Sequence, residues 1–273
     1  MADISGISLL PARTVLSLSG AERAGFLDGL LSTGVKDLAP GTLAYGALLT
    51  PQGKIISDMM IFAFEDRLAL DVPADAAADL ERRLTMYKLR AAVTLERTGE
   101  DVGIGFGDAE PQGARPDPRA PGLGTRFLAP AGTLTADEAV LARYRAARVA
   151  AGVPDAVADF DLADTFPHDA NMDLTGGVDF KKGCFVGQEV VSRMRHRGTA
   201  RRRIVIVSGD GPLPEPGTPV TSGEKVIGRM GTSQDGSGLA LIRIDRTDGT
   251  AMAAGIPLRL RAPAGAPFAL AGD

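Results

Sequence analysis

The chain has 273 residues, a formal net charge of −4, 44% hydrophobic and 23% charged residues, which describes a globular protein long enough to bury a core without staples. The acidic balance argues against a general nucleic-acid binder. One cysteine excludes an internal disulfide framework and a four-cysteine metal or iron–sulfur site within one chain, and two histidines leave little for zinc.

The opening "MADISGISLLPAR" has neither a basic start nor a long apolar stretch, so no secretory signal is expected. No apolar run reaches the ~18 residues of a membrane span. A soluble cytoplasmic protein is the expectation. "RTVLSLSG" alternates as a strand does. Ser19 and Glu22 then form a capping-box pattern, and Ala24, Leu27 and Leu31 predict a helix that Gly34 ends. "GTLAYGALLTPQGKIISDMMIFAFEDRLALDV" predicts several strands with a turn at "TPQGK". "PADAAADLERRLTMYKLR" predicts a helix with Ala76, Leu80, Leu84 and Tyr87 on one stripe, and "AAVTLE" a further strand. Strand, helix, strands, helix, strand is an α+β order, not a doubly wound one.

Residues 108–132 are rich in Gly, Pro and Ala and predict short strands at most. "LTADEAVLARYRAARVAAGVP" predicts a helix, capped by Thr135 with Glu138 and stopped by Gly152 and Pro154, with Leu141, Tyr144, Arg148 and Ala151 on one face. After about residue 200, short strands between Gly and Pro turns predict a small β-barrel, and the tail "PAGAPFALAGD" is expected to be loose. The domain expectation is an α+β region over 1–202 and a C-terminal β-barrel over 203–273.

Three features carry chemistry. Cys184 stands in "FKKGCFVGQEVV" behind two lysines and ahead of an expected helix, two influences that favour a thiolate. It reads either as a reactive or ligand-contacting thiol or as a small buried apolar residue. Asp58 interrupts the apolar run "IISDMMIF". It either enters a cavity, where it could orient an amine or move a proton, or lies on the solvent face of an edge strand. The basic run "SRMRHRGTARRR" reads as a solvated crossing between domains, as an anion site for a carboxylate-bearing ligand, or as a nucleic-acid surface that lacks stacking aromatics. "GIGFG" has no helix after it and carries no phosphate-loop reading.

"FKKGCFVGQEVVSRMRHRG" resembles the signature of the YgfZ family of folate-binding proteins: Lys182, Gly183, Cys184, Phe185, Gly187, Gln188 and Glu189 match its pattern without a gap. Other blocks, "AYGALLTPQGKIISDMMIF" and "PHDANMDLTGGVDF" among them, agree in order to about residue 205. That family is similar to the T-protein of the glycine cleavage system. The resemblance implies an aminomethyltransferase-like α+β region around a central folate cavity, then a β-barrel. It implies a tetrahydrofolate-dependent accessory role in iron–sulfur cluster assembly or repair, with aminomethyl transfer as the alternative activity. The partners implied are folate and iron–sulfur proteins or their assembly machinery; composition and charge add the expectation of no membrane and argue against nucleic acid. By position, Cys184 and Asp58 are the implied catalytic residues. Tyr144, Asn171, Lys182, Gln188, Glu189 and Arg193 are the implied folate contacts, and no metal site is implied. Where the family prototype has folate-associated tryptophans, this chain has Tyr144 and Arg13.

Overall fold

The computed structural model describes residues 5–109 and 111–271. Strands β1 (Gly6–Leu9) and β2 (Arg13–Ser19) precede helix α1 (Arg23–Asp28). Then come β3 (Leu43–Leu49), β4 (Ile55–Ala63), β5 (Arg67–Pro73), α2 (Ala77–Lys88), β6 (Thr94–Arg97) and β7 (Asp101–Phe106). After β8 (Arg115–Pro116) and β9 (Thr125–Ala129) stand α3 (Glu138–Ala151) and α4 (Gln188–Arg197). Six strands close the chain: β10 (Arg202–Ser208), β11 (Pro219–Ser222), β12 (Lys225–Gln234), β13 (Ser237–Arg243), β14 (Ala251–Ala253) and β15 (Ile256–Arg261).

The first nine strands form two antiparallel sheets, ordered β3-β4-β5-β2-β6 and β1-β7-β9-β8. The period of two along β2, β4 and β5 splits the larger sheet into two apolar faces. Leu16, Leu18, Met59, Ile61 and Leu70 pack under Leu27 of α1 and Leu80 and Leu84 of α2. Val15, Met60, Phe62 and Ala69 point the other way, toward Val102 and Ile104 of the smaller sheet, Val140 and Tyr144 of α3, and Met172, Val178 and Phe185. All nine residues of β4 are buried, so Asp58 lies inside, and its reading as a solvent-facing edge residue is set aside.

Helix α1 is shorter than its pattern predicts. Ser19 remains in β2, paired with Arg67 and Thr94, so strand pairing takes the residue expected to cap the helix. The next helical position, Leu31, bridges to Leu48 of β3 instead of extending the helix. The cap of α3 is Asp137, whose Oδ1 accepts from the N–H groups of Ala139 and Val140, and Gly152 closes the helix at φ +69°.

The C-terminal strands form a closed barrel, β10-β13-β12-β11-β14-β15, with β10 paired to both β13 and β15. Val205, Val207, Ile227, Met230 and Ile242 fill it. The tail expected to be loose is docked in its described part. Leu270 is buried in the barrel core, and the Ala271 N–H donates to the Ile244 carbonyl. Among the described residues no helix is long and apolar enough to cross a membrane.

Candidate functional site

The signature segment forms a pinned loop that presents its cysteine to solvent. Asp179 Oδ1 accepts from the N–H groups of Lys181 and Lys182 at 2.8 and 3.2 Å. The Lys182 ammonium then reaches across to the end of α1 and donates to the carbonyls of Asp28, Leu31 and Thr33 at 2.5, 2.9 and 3.0 Å. The Asp28 carbonyl is one that a helix end leaves without a partner, and a cation suits that end of the helix dipole; Leu31 and Thr33 lie in the segment just after it. Burial pulls the Lys182 pKa below the ordinary lysine value, against the attraction of Asp28. Phe185 is buried in the core. Gly187 caps α4 at φ +81°, and a Cβ there would stand 2.6 Å from the Thr50 carbonyl oxygen, so the turn before β4 fits against it only if it is glycine. Lys182, Phe185 and Gly187 hold the loop at three points, and Cys184 between them is exposed. The reading of Cys184 as a buried apolar residue is corrected: the side chain that enters the core is its neighbour Phe185.

Asp58 belongs to a different structure, a buried chain of alternating charges. Its Oδ1 is 3.7 Å from Arg13 Nη1, and its Oδ2 accepts from the Tyr45 hydroxyl at 3.3 Å. Arg13 binds Asp71 at 2.5 Å, and Asp71 accepts from Arg126 at 2.7 Å. Arg126 lies 3.6 Å from Asp117, and Asp117 accepts from Arg119 at 2.8 Å. Arg119 continues to Asp155 at 3.2 Å, Asp155 to Arg148 at 3.1 Å, and Arg148 to Asp159 at 3.0 Å. The Tyr144 hydroxyl sits between Arg119 and Arg126 and accepts from both, at 2.6 and 2.5 Å. The far end is tied to the barrel, where the Thr232 N–H of β12 donates to Asp159 at 2.6 Å.

Five aspartates alternate with four arginines in this chain. Burial would raise Asp155 and Asp117, but Arg148 and Arg119 hold Asp155 well below the ordinary value, and Arg119 and Arg126 hold Asp117 down. Asp58 goes the other way. Burial raises its pKa despite Arg13, and Asp155 and Asp71 add repulsion. Its Oδ1 has no hydrogen-bond partner. A proton held on Asp58 would leave four carboxylates for four guanidiniums.

The remaining sequence candidates are dispersed. Asn171, at φ +55°, donates from its side chain to the Ile204 carbonyl at 2.9 Å and ties the barrel to the 166–180 segment. Gln188 opens α4, and Glu189 pairs with Arg193 on its exposed face at 3.7 Å. The structure thus joins Asp58 and Tyr144 in one network and Lys182 and Cys184 in one loop. It does not bring all of them around one cavity. Nor does the Asp58 region fit a folate as it stands. Asp58, Asp71, Arg126 and Tyr144 are each at most 2% exposed, and the arginines there are already paired with aspartates. Sequence reasoning missed Arg119 and Arg126, which stand in a Gly/Pro-rich stretch without a pattern. Arg148 carried a signal, since it shares the buried stripe of α3 with Tyr144. Among the described residues no group of three or more His, Cys, Asp or Glu side chains is placed to hold a metal ion.

Comparison with known proteins follows these features. Residues 201–268 match the CAF17 C-terminal β-barrel domain family. The chain is 34% identical over 249 aligned positions to a Phaeosphaeria nodorum protein named iron–sulfur cluster assembly factor IBA57 homolog, mitochondrial, covering 79% of this chain and 59% of the relative. It is 28% identical over 303 aligned positions to the human iron–sulfur cluster assembly factor IBA57, mitochondrial, covering 96% of this chain and 82% of the human protein. The alignments span 56% to 60% of the length of the first five such relatives. These relatives are named mitochondrial, which overturns the expectation of a cytoplasmic protein. In three dimensions the chain matches glycine cleavage system aminomethyltransferase T of Bartonella henselae with a TM-score of 0.76 at 16% identity, over 95% of this chain and 85% of that one. The fold is therefore the aminomethyltransferase one with a C-terminal barrel, as the sequence led us to expect.

Proposed function

We propose, from the premise that this chain is a homologue of the IBA57 iron–sulfur cluster assembly factors, that it is an accessory factor in assembling or repairing iron–sulfur clusters on selected proteins. The observation that carries the proposal is Cys184, the chain's one thiol, exposed on a loop that Lys182, Phe185 and Gly187 immobilise. A cluster is held by about four ligands, mostly thiolates. One exposed cysteine can contribute a single sulfur, so the cluster is cargo shared with a second protein that supplies the other ligands. A rigid loop suits that use: the sulfur is presented at a fixed place, and little ordering entropy is lost when a partner docks.

Tetrahydrofolate, the ligand the resemblance adds, stands apart from this role. The charged groups at Asp58 are bonded to one another, so the accessory role we propose rests on the thiol and not on a one-carbon unit, and aminomethyl transfer is not favoured. A folate titration followed by thermal melting tests this part alone: a saturable stabilisation by tetrahydrofolate would reinstate folate.

The main test is complementation. A strain deleted for its own copy of this gene receives the wild-type chain or Cys184→Ser, and the activity of a four-iron enzyme such as aconitase is compared with that of an iron-free enzyme. Wild type should restore the first without affecting the second, and Cys184→Ser should accumulate normally yet fail. If wild type restores no cluster enzyme, the assembly role is wrong. If Cys184→Ser restores fully, the thiol is not the working group.

A further inference from the structure

A cavity of about 360 Å3 lies between the 166–180 segment, α4 and the barrel with its tail. None of its lining residues belongs to the Asp58 chain, and the assembly role does not call for it. Its polar wall is built from His168, Asp173, Arg195 and Arg203, and Phe180 and Phe268 back the two arginines.

Several polar groups in this wall lack protein partners. The His168 side chain is buried, with the residue 2% exposed, and neither ring nitrogen meets a hydrogen-bond partner. A neutral imidazole has one donor and one acceptor, and leaving both unmet in a buried position is costly. Burial pulls the His168 pKa below the ordinary value, against the pull of Asp173, so the neutral ring is the form present near pH 7. Arg203 spends its terminal nitrogens on Asp173, at 2.7 and 3.1 Å, and on the His168 carbonyl at 2.8 Å. Its Nε is buried and unpaired. Arg195 stands over Phe180, its Cζ 4.0 Å from the ring centroid, and no carboxylate pairs with it among the described residues.

Two guanidiniums against one carboxylate leave the wall one positive charge in excess. Guanidinium edges suit a carboxylate. The rest of the lining includes Leu174, Met194, Ile244 and Pro267, which would accept a short apolar body. The volume is at the small end of ligand pockets, which run from about 300 to 1,000 Å3. We propose that this cavity binds a small organic monocarboxylate, its carboxylate on Arg195 and the Arg203 Nε–H, with the His168 ring supplying a further hydrogen bond. Phe180 also begins the loop that carries Cys184. Four residues span at most about 14 Å, so the ligand site borders the thiol loop.

The test titrates the full chain with sodium benzoate and sodium butyrate, against sodium chloride at matched ionic strength and against inorganic phosphate. The readout is the long-range 1H–15N spectrum of the histidine rings, which holds only His168 and His196. A benzoate or butyrate titration should saturate with a Kd of about 1–10 mM, as expected for so few ligand atoms. It should move the His168 signals and leave those of His196 in place. Read at the same His168 signals, Arg195→Gln should weaken binding at least tenfold, and Ala200→Phe, which fills the cavity from a second wall, should abolish it. The proposal is overturned if neither carboxylate gives a saturable shift at His168, if phosphate binds as well as benzoate, or if folded Ala200→Phe binds undiminished. The wild-type titration decides even if a variant fails to fold.

Discussion

Replacing Lys182 with methionine keeps most of the aliphatic stem and removes the ammonium. Three carbonyls lose their donor, those of Asp28, Leu31 and Thr33, now at 2.5, 2.9 and 3.0 Å. A hydrogen bond to a charged group contributes roughly 1.5–3 kcal/mol, but three from one ammonium do not add in full, and water can reach part of this site. A loss of about 2–4 kcal/mol follows, which for a chain of this size is a melting temperature lower by about 5–15 °C. The loss should be local as well as global, because the same ammonium fixes the start of the Cys184 loop. Urea unfolding measures the first effect. Hydrogen exchange at the amides of 181–187 measures the second, and protection there should fall more than in β4. A Lys182→Met protein with wild-type stability and unchanged exchange in the loop would refute the anchoring argument.

Cys184→Ala touches an exposed side chain, so stability should change by no more than about 0.5 kcal/mol and melting by no more than about 2 °C, while complementation is lost; a large destabilisation would return the cysteine to the core. Arg126→Met breaks a buried pair and leaves Asp71 and Asp117 without their shared cation, at a cost of about 3–5 kcal/mol in urea unfolding; a loss below about 1 kcal/mol would mean that the charges relax into solvent. Asp58→Asn should be at least as stable as wild type at pH 7. The folded pKa of Asp58 is raised, so its favourable contribution is complete below the ordinary aspartate pKa of about 3.9 and is lost as pH rises through the folded value. The difference between variant and wild type should therefore open only above about pH 4. Asp117 and Asp155, whose pKa values are lowered, act in the opposite sense in both proteins.

The elements with a clean period were legible. β2, β4, β5, α2 and α3 stand where alternation or helical spacing puts them, because each has one face on a large apolar layer. The misjudged features are those where a tertiary contact outbids a local one. Ser19 had a cap to make, but strand pairing on both sides took it. The tail had no pattern, yet Leu270 finds the barrel core. The signature was readable as a motif and unreadable as geometry. Lys182 looked like an activator of the neighbouring thiol, whereas its ammonium turns away to the end of α1 and the segment after it, residues separated from it by about 150 positions. No local rule could show that, because the partners are main-chain carbonyls and carry no side-chain signal.

The charged interior was the least legible part and bears most on function. Arg13, Asp58 and Asp71 project from one face of the larger sheet, Arg126 from the smaller sheet, Tyr144 and Arg148 from α3, and Asp117, Arg119, Asp155 and Asp159 from connecting segments. Each is an ordinary polar residue in its own stretch, and only the fold makes them a chain. Such a chain is weak evidence of stability, since desolvation offsets much of the attraction. What it supplies is geometry: it locks two sheets, a helix and the barrel in one register through directional bonds. A cavity that binds a reactant needs unmatched groups facing open space, and here nearly every group is matched. Asp58 keeps one oxygen without a hydrogen bond, as Arg126 and Arg148 each keep their Nε, and burial raises its pKa. An enclosed carboxyl at the end of a closed ionic chain is poorly placed to exchange protons with a substrate. The only thiol, by contrast, is outside, on a loop whose neighbours are spent holding it still. On an aminomethyltransferase fold, that distribution favours presenting a sulfur to another protein over transferring a one-carbon unit within.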